Sequence, residues 1–282
     1  MYYPLPDGSY GYGIRDFVTI FLCSLIITSI RLVLSLTLSR TIPKHINICP
    51  STLKKFIENS FYALYYIFAV LLELILLSRH KWFWFTSWPE SVISMNLTYC
   101  SYETKLVYMI QMGFYLQGFF ALFHESTKSK NDFSMMIIHH ASTSLLLLTS
   151  YFGSRAVDYG TLVLFLHDVS DILLFVSKAL NYLDLNYYAN KGFSAFAILF
   201  FVCRLVLFPW LIGTLYRGSK YLDCRYPRLN VTFWGFPLFF LQLLHVKWFT
   251  MILRMVFEKL SHGKLTGDIR SPPREVEKSH VI

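Results

Sequence analysis

Seven stretches of mostly apolar residues, each close to the length of a membrane-spanning helix, constrain this sequence more than any other feature. They cover approximately 17–38, 60–78, 106–123, 134–152, 159–177, 193–216 and 233–257. A helix needs roughly 20 apolar residues to cross the hydrocarbon core of a bilayer, where its backbone polar groups must be satisfied internally. The sequence therefore predicts an all-α polytopic membrane helix bundle with about seven transmembrane helices.

The composition favours membrane spans over a large water-soluble core. Hydrophobic residues make up 55% of the 282 residues and charged residues only 15%, against about 25% charged in typical soluble domains. The net charge of +9 is spread over short loops and a polar tail, without a contiguous basic face or a nucleic-acid-binding motif. We therefore expect no nucleic-acid partner, and the charge favours contact with anionic lipid headgroups or a polyanionic substrate.

Lysine and arginine are more numerous in the loops on the side of the bundle that includes the C-terminal tail. By the positive-inside rule, the C-terminus is expected in the cytosol and the N-terminus in the lumen. We expect a short lumenal N-terminus at 1–16, a first transmembrane helix at 17–38, a six-helix domain at 53–258 and a flexible cytosolic tail at 259–282. No removable signal peptide is evident.

Two features of the predicted lumenal side concern covalent modification. Asn96 begins the sequon Asn-Leu-Thr, which makes it a candidate for glycosylation. Cys100 and Cys224 both fall on this oxidising side, so a disulfide between them is conceivable. The sequence gives no distance between the two cysteines and leaves that pairing open.

Two polar clusters interrupt the fourth and fifth apolar runs. Their members are His139, His140 and Thr143 in the fourth run, and His167, Asp168, Ser170 and Asp171 in the fifth. A carboxylate at mid-helix costs about 2.5–3.5 kcal/mol on insertion scales, so such groups usually have a function. Spacings of three and four residues, as between His167 and Asp171, place cluster members on one helix face.

The two clusters also match in depth. Only about six residues (153–158) join the two runs, so we expect antiparallel neighbouring helices. Folding the chain at that loop brings His140 level with Asp171, and Thr143 level with Asp168, in the cytosolic half of the bilayer. A lone intramembrane histidine is more often a helix–helix hydrogen bonder, but two matched clusters favour a shared functional site.

Other interpretations of the buried polar residues stay open at this point. Histidine and aspartate can bind zinc or iron, but each helix has a single cluster and no repeated histidine motif, so we expect no metal. Arg31, Glu73 and Arg204 also interrupt apolar runs. Structural ion pairing or snorkelling is the expected role for these three.

The segment 132–182 resembles the signature motif of the ceramide synthases, the sphingoid-base N-acyltransferases with a TLC domain. The resemblance rests on DFSMMIIHHASTSLLLLTSYF followed by GTLVLFLHDVSDILLFVSKALNY. Weaker similarity covers about 55–270 and includes Arg204, Pro209 and the stretch GKLTGDIRS. One departure is Phe175, because the family usually has a glutamate four residues after Asp171.

This resemblance implies a TLC-type six-helix core at 53–258, preceded by an N-terminal helix, in the endoplasmic reticulum membrane. It implies fatty acyl-CoA as co-substrate, with no bound cofactor, and a sphingoid base such as sphinganine as acceptor. The products would be dihydroceramide or ceramide and free CoA. Acyl-chain length, base preference, a homo- or heterodimer and an accessory subunit are not fixed by the sequence.

We expect His139 or His140 to act as general base or to form an acyl-imidazole, with Asp168 or Asp171 orienting the ring. His167, Thr143 and Ser170 would support this site. Cationic side chains near the cytosolic mouth would meet the CoA phosphates; the candidates are Lys128, Lys130, Lys178 and Arg204.

Two rival classes deserve comparison. A non-catalytic TLC-type protein, such as a lipid sensor or a translocon-associated factor, would generally lack the full set of histidines and aspartates. Phe175, which replaces the usual glutamate, favours this class. A seven-helix receptor or a transporter shares the number of spans. The motifs typical of receptors and the broken-helix repeats of many transporters are absent from the sequence.

Overall fold

The computed structural model describes residues 3–44, 48–79, 100–122, 133–152, 157–218 and 229–262. Within these ranges the regular secondary structure is helical and no sheet forms, although isolated β-bridges join Tyr10 to Pro4 and to Cys100. The helices are α1 (Asp16–Thr41), α2 (Pro50–Leu77), α3 (Tyr102–Ala121), α4 (Phe133–Phe152), α5 (Val157–Tyr182), α6 (Asn186–Phe200), α7 (Phe208–Gly218) and α8 (Leu229–His262).

A π-helical segment, Phe201–Leu207, joins α6 to α7 without a break. Counting this continuous run as one helix gives seven long helices in the described ranges, so the predicted all-α membrane bundle is confirmed. Six of them are long and apolar enough to cross a membrane. The other is α3, whose polar residues Lys105, Gln111 and Gln117 are covered by neighbouring helices.

Local sequence accounts for several helix ends. Pro50 occupies the first turn of α2, where its missing N–H costs nothing. Ser101 caps α3 by accepting a hydrogen bond from the backbone N–H of Thr104 at 3.1 Å. Asp184 has φ of 57°, a left-handed conformation that aspartate tolerates, and it turns the chain directly from α5 into α6.

Helix α5 lies at the centre of the bundle and packs mainly against α2 and α6. Helix α1 packs mainly on α3, whereas α4 contacts α3 and α8. Helices α4 and α5, which we expected to pack as neighbours, make few direct contacts. The prediction of a close α4–α5 pair is therefore only partly met, because a cavity and side chains of α8 lie between the two polar clusters.

At the end of the bundle where α1 and α3 begin, an ion pair ties three helices together. The Asp16 carboxylate lies 3.0 Å from the Lys105 Nζ, and both side chains are fully buried. The Tyr151 hydroxyl of α4 donates to the same carboxylate at 2.8 Å. This contact fixes one end of the bundle, and the cavity that contains the polar clusters lies toward the other end.

Candidate active site

A cavity of about 210 Å³ opens among α2, α3, α4, α5, α6, the π segment and α8. Its polar lining comes from four separate elements: His139 and His140 of α4, His167 and Asp171 of α5, Arg204 of the π segment, and Trp248 of α8. Aromatic and aliphatic side chains form most of the remaining wall, together with Ser177, Lys178 and Asn181 of α5. The polar clusters that the sequence placed at one depth therefore do face a common space.

His139 and His140 enter the cavity from adjacent positions on α4. In both rings Nδ1 is buried and has no hydrogen-bond partner among the described residues. The His139 ring meets the Trp248 ring edge-on, with centroids 5.0 Å apart. The His140 ring lies against Gly118, where an added Cβ would come within 3.2 Å of Cε1. A glycine at this position of α3 makes room for the imidazole.

Asp171 and Arg204 form an ion pair across α5 and the π segment. The Arg204 Nη2 donates to Asp171 Oδ1 at 2.5 Å and to the backbone carbonyl of His167 at 3.0 Å. The π segment widens the helix locally, and such segments often occur at functional sites. The expected structural pairing of Arg204 is confirmed, and its partner is an aspartate of the cavity wall.

His167 makes two hydrogen bonds of its own. Its Nδ1 lies 2.6 Å from the carbonyl oxygen of Val163, one turn earlier on α5. Its Nε2 lies 3.0 Å from Nε2 of His245 on α8. His245 is fully buried, behind the cavity wall.

Asp168 does not line the cavity. It is buried beside the cavity-facing surface of α5 and turned toward α3, where its Oδ2 accepts a hydrogen bond from Gln111 Nε2 at 2.7 Å. The same nitrogen donates to Glu73 Oε1 at 2.5 Å, and Tyr65 donates to Gln111 Oε1 at 3.0 Å. The described geometry therefore places Asp171, and not Asp168, in the wall shared with His139 and His140.

The supporting residues differ in placement. The Ser170 hydroxyl donates to the carbonyl of His167 at 2.9 Å, within its own helix. Thr143 is buried without a hydrogen-bond partner for its hydroxyl among the described residues, and it is absent from the cavity lining. The other predicted supporting residue, His167, does line the cavity.

At the end of the cavity near the start of α6, Lys178 and Phe175 contribute to the lining. The Phe175 ring stacks on Tyr66, with centroids 5.5 Å apart, and the Lys178 Nζ lies 5.9 Å above the Phe175 ring. Lys128, Lys130, Asn96 and Cys224 lie outside the described residues, so the predictions that rest on them stay predictions. Among the described residues no three metal-binding side chains gather as they would around an ion.

Sequence reasoning missed His245 and Gln111, and it treated Glu73 only as a generic buried charge. A signal for His245 existed, because it interrupts the seventh apolar run in the same way that His139 interrupts the fourth. Gln111 similarly stands in the third run. Their partners, however, lie on helices far away in the sequence, and no local spacing rule connects them.

The fold and cavity define a polytopic helical membrane protein with a buried histidine, aspartate and arginine site. Residues 55–254 match the TLC domain family. Ceramide synthase 4 of Homo sapiens is 32% identical over 236 residues, covering 82% of this chain and 57% of that protein. Ceramide synthase LOH1 of Arabidopsis thaliana is 32% identical over 234 residues, covering 77% of this chain and 73% of that protein.

A third relative, Ceramide synthase LOH2 of Arabidopsis thaliana, is 34% identical over 193 residues, covering 67% of this chain and 62% of that protein. The chain thus spans little more than half of the human relative and about two thirds or more of the two plant relatives. It belongs to the ceramide synthase family of TLC-domain proteins.

Proposed function

We propose that this protein transfers a fatty acyl group from acyl-CoA to the amine of a sphingoid base, giving dihydroceramide or ceramide and free CoA. The observation that carries the proposal is the convergence of His139, His140 and Asp171 on one cavity, in a chain related to ceramide synthases. The mostly apolar wall suits the hydrocarbon portions of the substrates next to the reacting centre, and the polar groups suit the reacting centre itself.

The acyl-imidazole route is consistent with this set of groups. An imidazole nitrogen attacks the thioester carbonyl, the C–S bond breaks, and the leaving thiolate takes the proton that the ring releases. The amine of the sphingoid base then attacks the acyl carbon. The C–N bond to the ring breaks, and the imidazole recovers a proton from the amine. In the alternative route the imidazole removes the amine proton while the amine attacks the thioester directly; the C–S bond then breaks, and the imidazolium passes the proton to the leaving CoA thiolate.

Each polar group of the wall has a proposed role in this scheme. One of His139 and His140 is the reactive imidazole, because both rings present a buried nitrogen without a partner among the described residues. Asp171 stabilises positive charge on that ring or on the incoming amine, while Arg204 holds the carboxylate in place at 2.5 Å. Lys178, which lines the cavity, meets the CoA phosphates, and Lys128 and Lys130 are proposed from the sequence for the same role.

The cellular placement belongs to the same proposal. We place the protein in the endoplasmic reticulum membrane, with the N-terminus in the lumen, the C-terminus in the cytosol, and the cavity mouth toward the cytosolic leaflet. CoA then stays in water while its acyl chain enters the bundle. A dimer or an accessory subunit is compatible with this arrangement.

N-acylation by the purified protein tests the proposal. Wild type should convert sphinganine and acyl-CoA to dihydroceramide, whereas the rate should fall at least about 100-fold in one of the variants His139→Ala and His140→Ala, within the range of general-base or nucleophilic catalysis. Ser144→Ala, one turn further along α4, is the matched control and should keep wild-type activity. Equal product from wild type, His139→Ala and His140→Ala would contradict the catalytic role of this histidine pair.

Two further measurements extend this test. Expression in cells that lack ceramide synthesis, followed by lipid mass spectrometry, should show new N-acyl sphingoid bases and their chain lengths. Intact-mass analysis after incubation with acyl-CoA alone should show an acyl adduct that added sphingoid base removes, if the acyl-imidazole route operates. If neither the cells nor the purified protein form product, the catalytic proposal is contradicted. The non-catalytic alternative, which Phe175 in the cavity wall favours, is then supported.

A further inference from the structure

One face of α8 contacts both histidine clusters. His245 and Trp248 stand three residues apart and therefore share that face. His245 hydrogen-bonds His167 of α5 at 3.0 Å, and the Trp248 ring packs edge-on against His139 of α4 at 5.0 Å. Helix α8 therefore contacts both clusters through these two side chains, while α3 packs directly against both α4 and α5.

The hydrogen bonds fix which nitrogen of each ring carries a proton. The Val163 carbonyl can only accept, so Nδ1 of His167 donates to it. With His167 neutral, its Nε2 has a lone pair and accepts from Nε2–H of His245. A doubly protonated His167 would place a second cation beside Arg204, which already contacts the His167 carbonyl, and the apolar interior disfavours that arrangement.

His167 is in turn joined to the charged part of the wall. Its backbone carbonyl accepts from Arg204, and the same guanidinium holds Asp171. A change in the His167 side chain is therefore transmitted to the carboxylate that faces His139 and His140. Groups facing His245 from the packed elements are His167 of α5, Arg204 of the π segment and His139 of α4, together with the apolar Phe200 and Phe208.

We propose that His245 is a positioning residue for the acyl-transfer reaction. Its N–H occupies the Nε2 lone pair of His167, which keeps that imidazole out of the reaction and holds the α5 turn that carries Asp171 in its working position. This inference rests on the proposed function, because it assigns the residue a task in that reaction.

Two substitutions at the same position separate hydrogen bonding from packing. His245→Gln keeps an N–H near the position of Nε2, whereas His245→Leu keeps a similar volume and removes the donor. We expect kcat to fall about tenfold or more in His245→Leu, since a buried acceptor loses its partner. The KM for acyl-CoA should change little, and His245→Gln should stay within about threefold of wild type.

The thermal midpoint in detergent separates this role from a merely structural one. His245→Leu should unfold close to wild type, because leucine fills the apolar space left by the ring. Leu241→Ala, a buried packing change on the same helix, should lower the midpoint without changing the kcat of the folded protein. Equal kcat in His245→Leu and wild type, or equal losses in the Gln and Leu variants, would overturn the inference.

A chemical readout works independently of the reaction. Diethyl pyrocarbonate modifies an unprotonated, accessible imidazole nitrogen, and His167 lines the cavity. His167 should resist modification in wild type and His245→Gln, and react faster in His245→Ala, which removes the donor and leaves room beside Nε2, as measured by peptide mass spectrometry. If wild type makes no N-acyl product, the proposed function fails, whereas unchanged protection of His167 in His245→Ala would overturn the inference itself.

Discussion

At the cavity wall, Asp171 and Arg204 neutralise each other across a 2.5 Å contact, with only 6% of the arginine side chain and 18% of the aspartate side chain exposed. Removing one member of a buried pair leaves an uncompensated charge, which costs about 3–5 kcal/mol, whereas removing both can be nearly neutral. The stability of the fold therefore depends on the two charges neutralising each other, whereas the proposed chemistry depends on the carboxylate itself. Single and double substitutions can separate these two effects.

We predict that Arg204→Leu lowers the thermal midpoint strongly, because Asp171 is left without its partner. The double variant Asp171→Leu/Arg204→Leu should recover most of that stability but should remain inactive in N-acylation, since the carboxylate of the wall is gone. Thermal unfolding in detergent and product formation measure the two effects. An active double variant would remove Asp171 from the proposed mechanism.

At the scale of the helix, the close approach of α3 to α4 determines the position of the His140 ring. Gly118 of α3 faces His140, and an added Cβ there would lie 3.2 Å from the ring. We predict that Gly118→Val displaces the imidazole and lowers kcat about tenfold or more, because misplacement by about 1 Å can cost 100-fold. Gly213→Ala is the matched control, since nothing lies within 4 Å of its added Cβ.

We expect Gly213→Ala to show an unchanged rate and equal or slightly higher stability, since alanine is favoured over glycine within a helix. A normal kcat in Gly118→Val, with His140 tolerating the new side chain, would show that the ring position is not set by α3.

The sequence predicted the helices well, because apolar runs of spanning length leave the backbone few alternatives. It also predicted that His140 and Asp171 share one region, since helical spacing and a short loop set their depth. It could not tell which aspartate faces the cavity. Asp168 follows His167 by one residue and is rotated by about 100° around the helix, and its partner Gln111 lies on α3. His245 was missed because its partner is 78 residues away.

Across the whole molecule, the Asp16–Lys105 ion pair and the candidate chemistry lie at opposite ends of the bundle. The Asp16–Lys105 pair, with Tyr151 donating to Asp16, ties α1, α3 and α4 together where α1 begins. The His139–Asp171 cavity lies toward the end where α6 begins. Helices α1 and α3 also approach closely at Gly113, where an added Cβ would lie 2.7 Å from Cys23 Cβ. This packing continues along the helices the α1–α3 contact made by the Asp16–Lys105 pair.

Separating the two ends gives a final prediction. Lys105→Met should leave the fully buried Asp16 carboxylate without its cationic partner and destabilise the fold by about 3–5 kcal/mol. The double variant Asp16→Asn/Lys105→Met should recover much of the lost stability. Because this ion pair lies far from the cavity, the kcat of the molecules that remain folded should match wild type in both variants. Thermal midpoints, and rates normalised to folded protein by size-exclusion chromatography, measure this. A lower kcat in the stable double variant would mean that α1 transmits its position to the cavity, and that the two ends of the bundle are coupled.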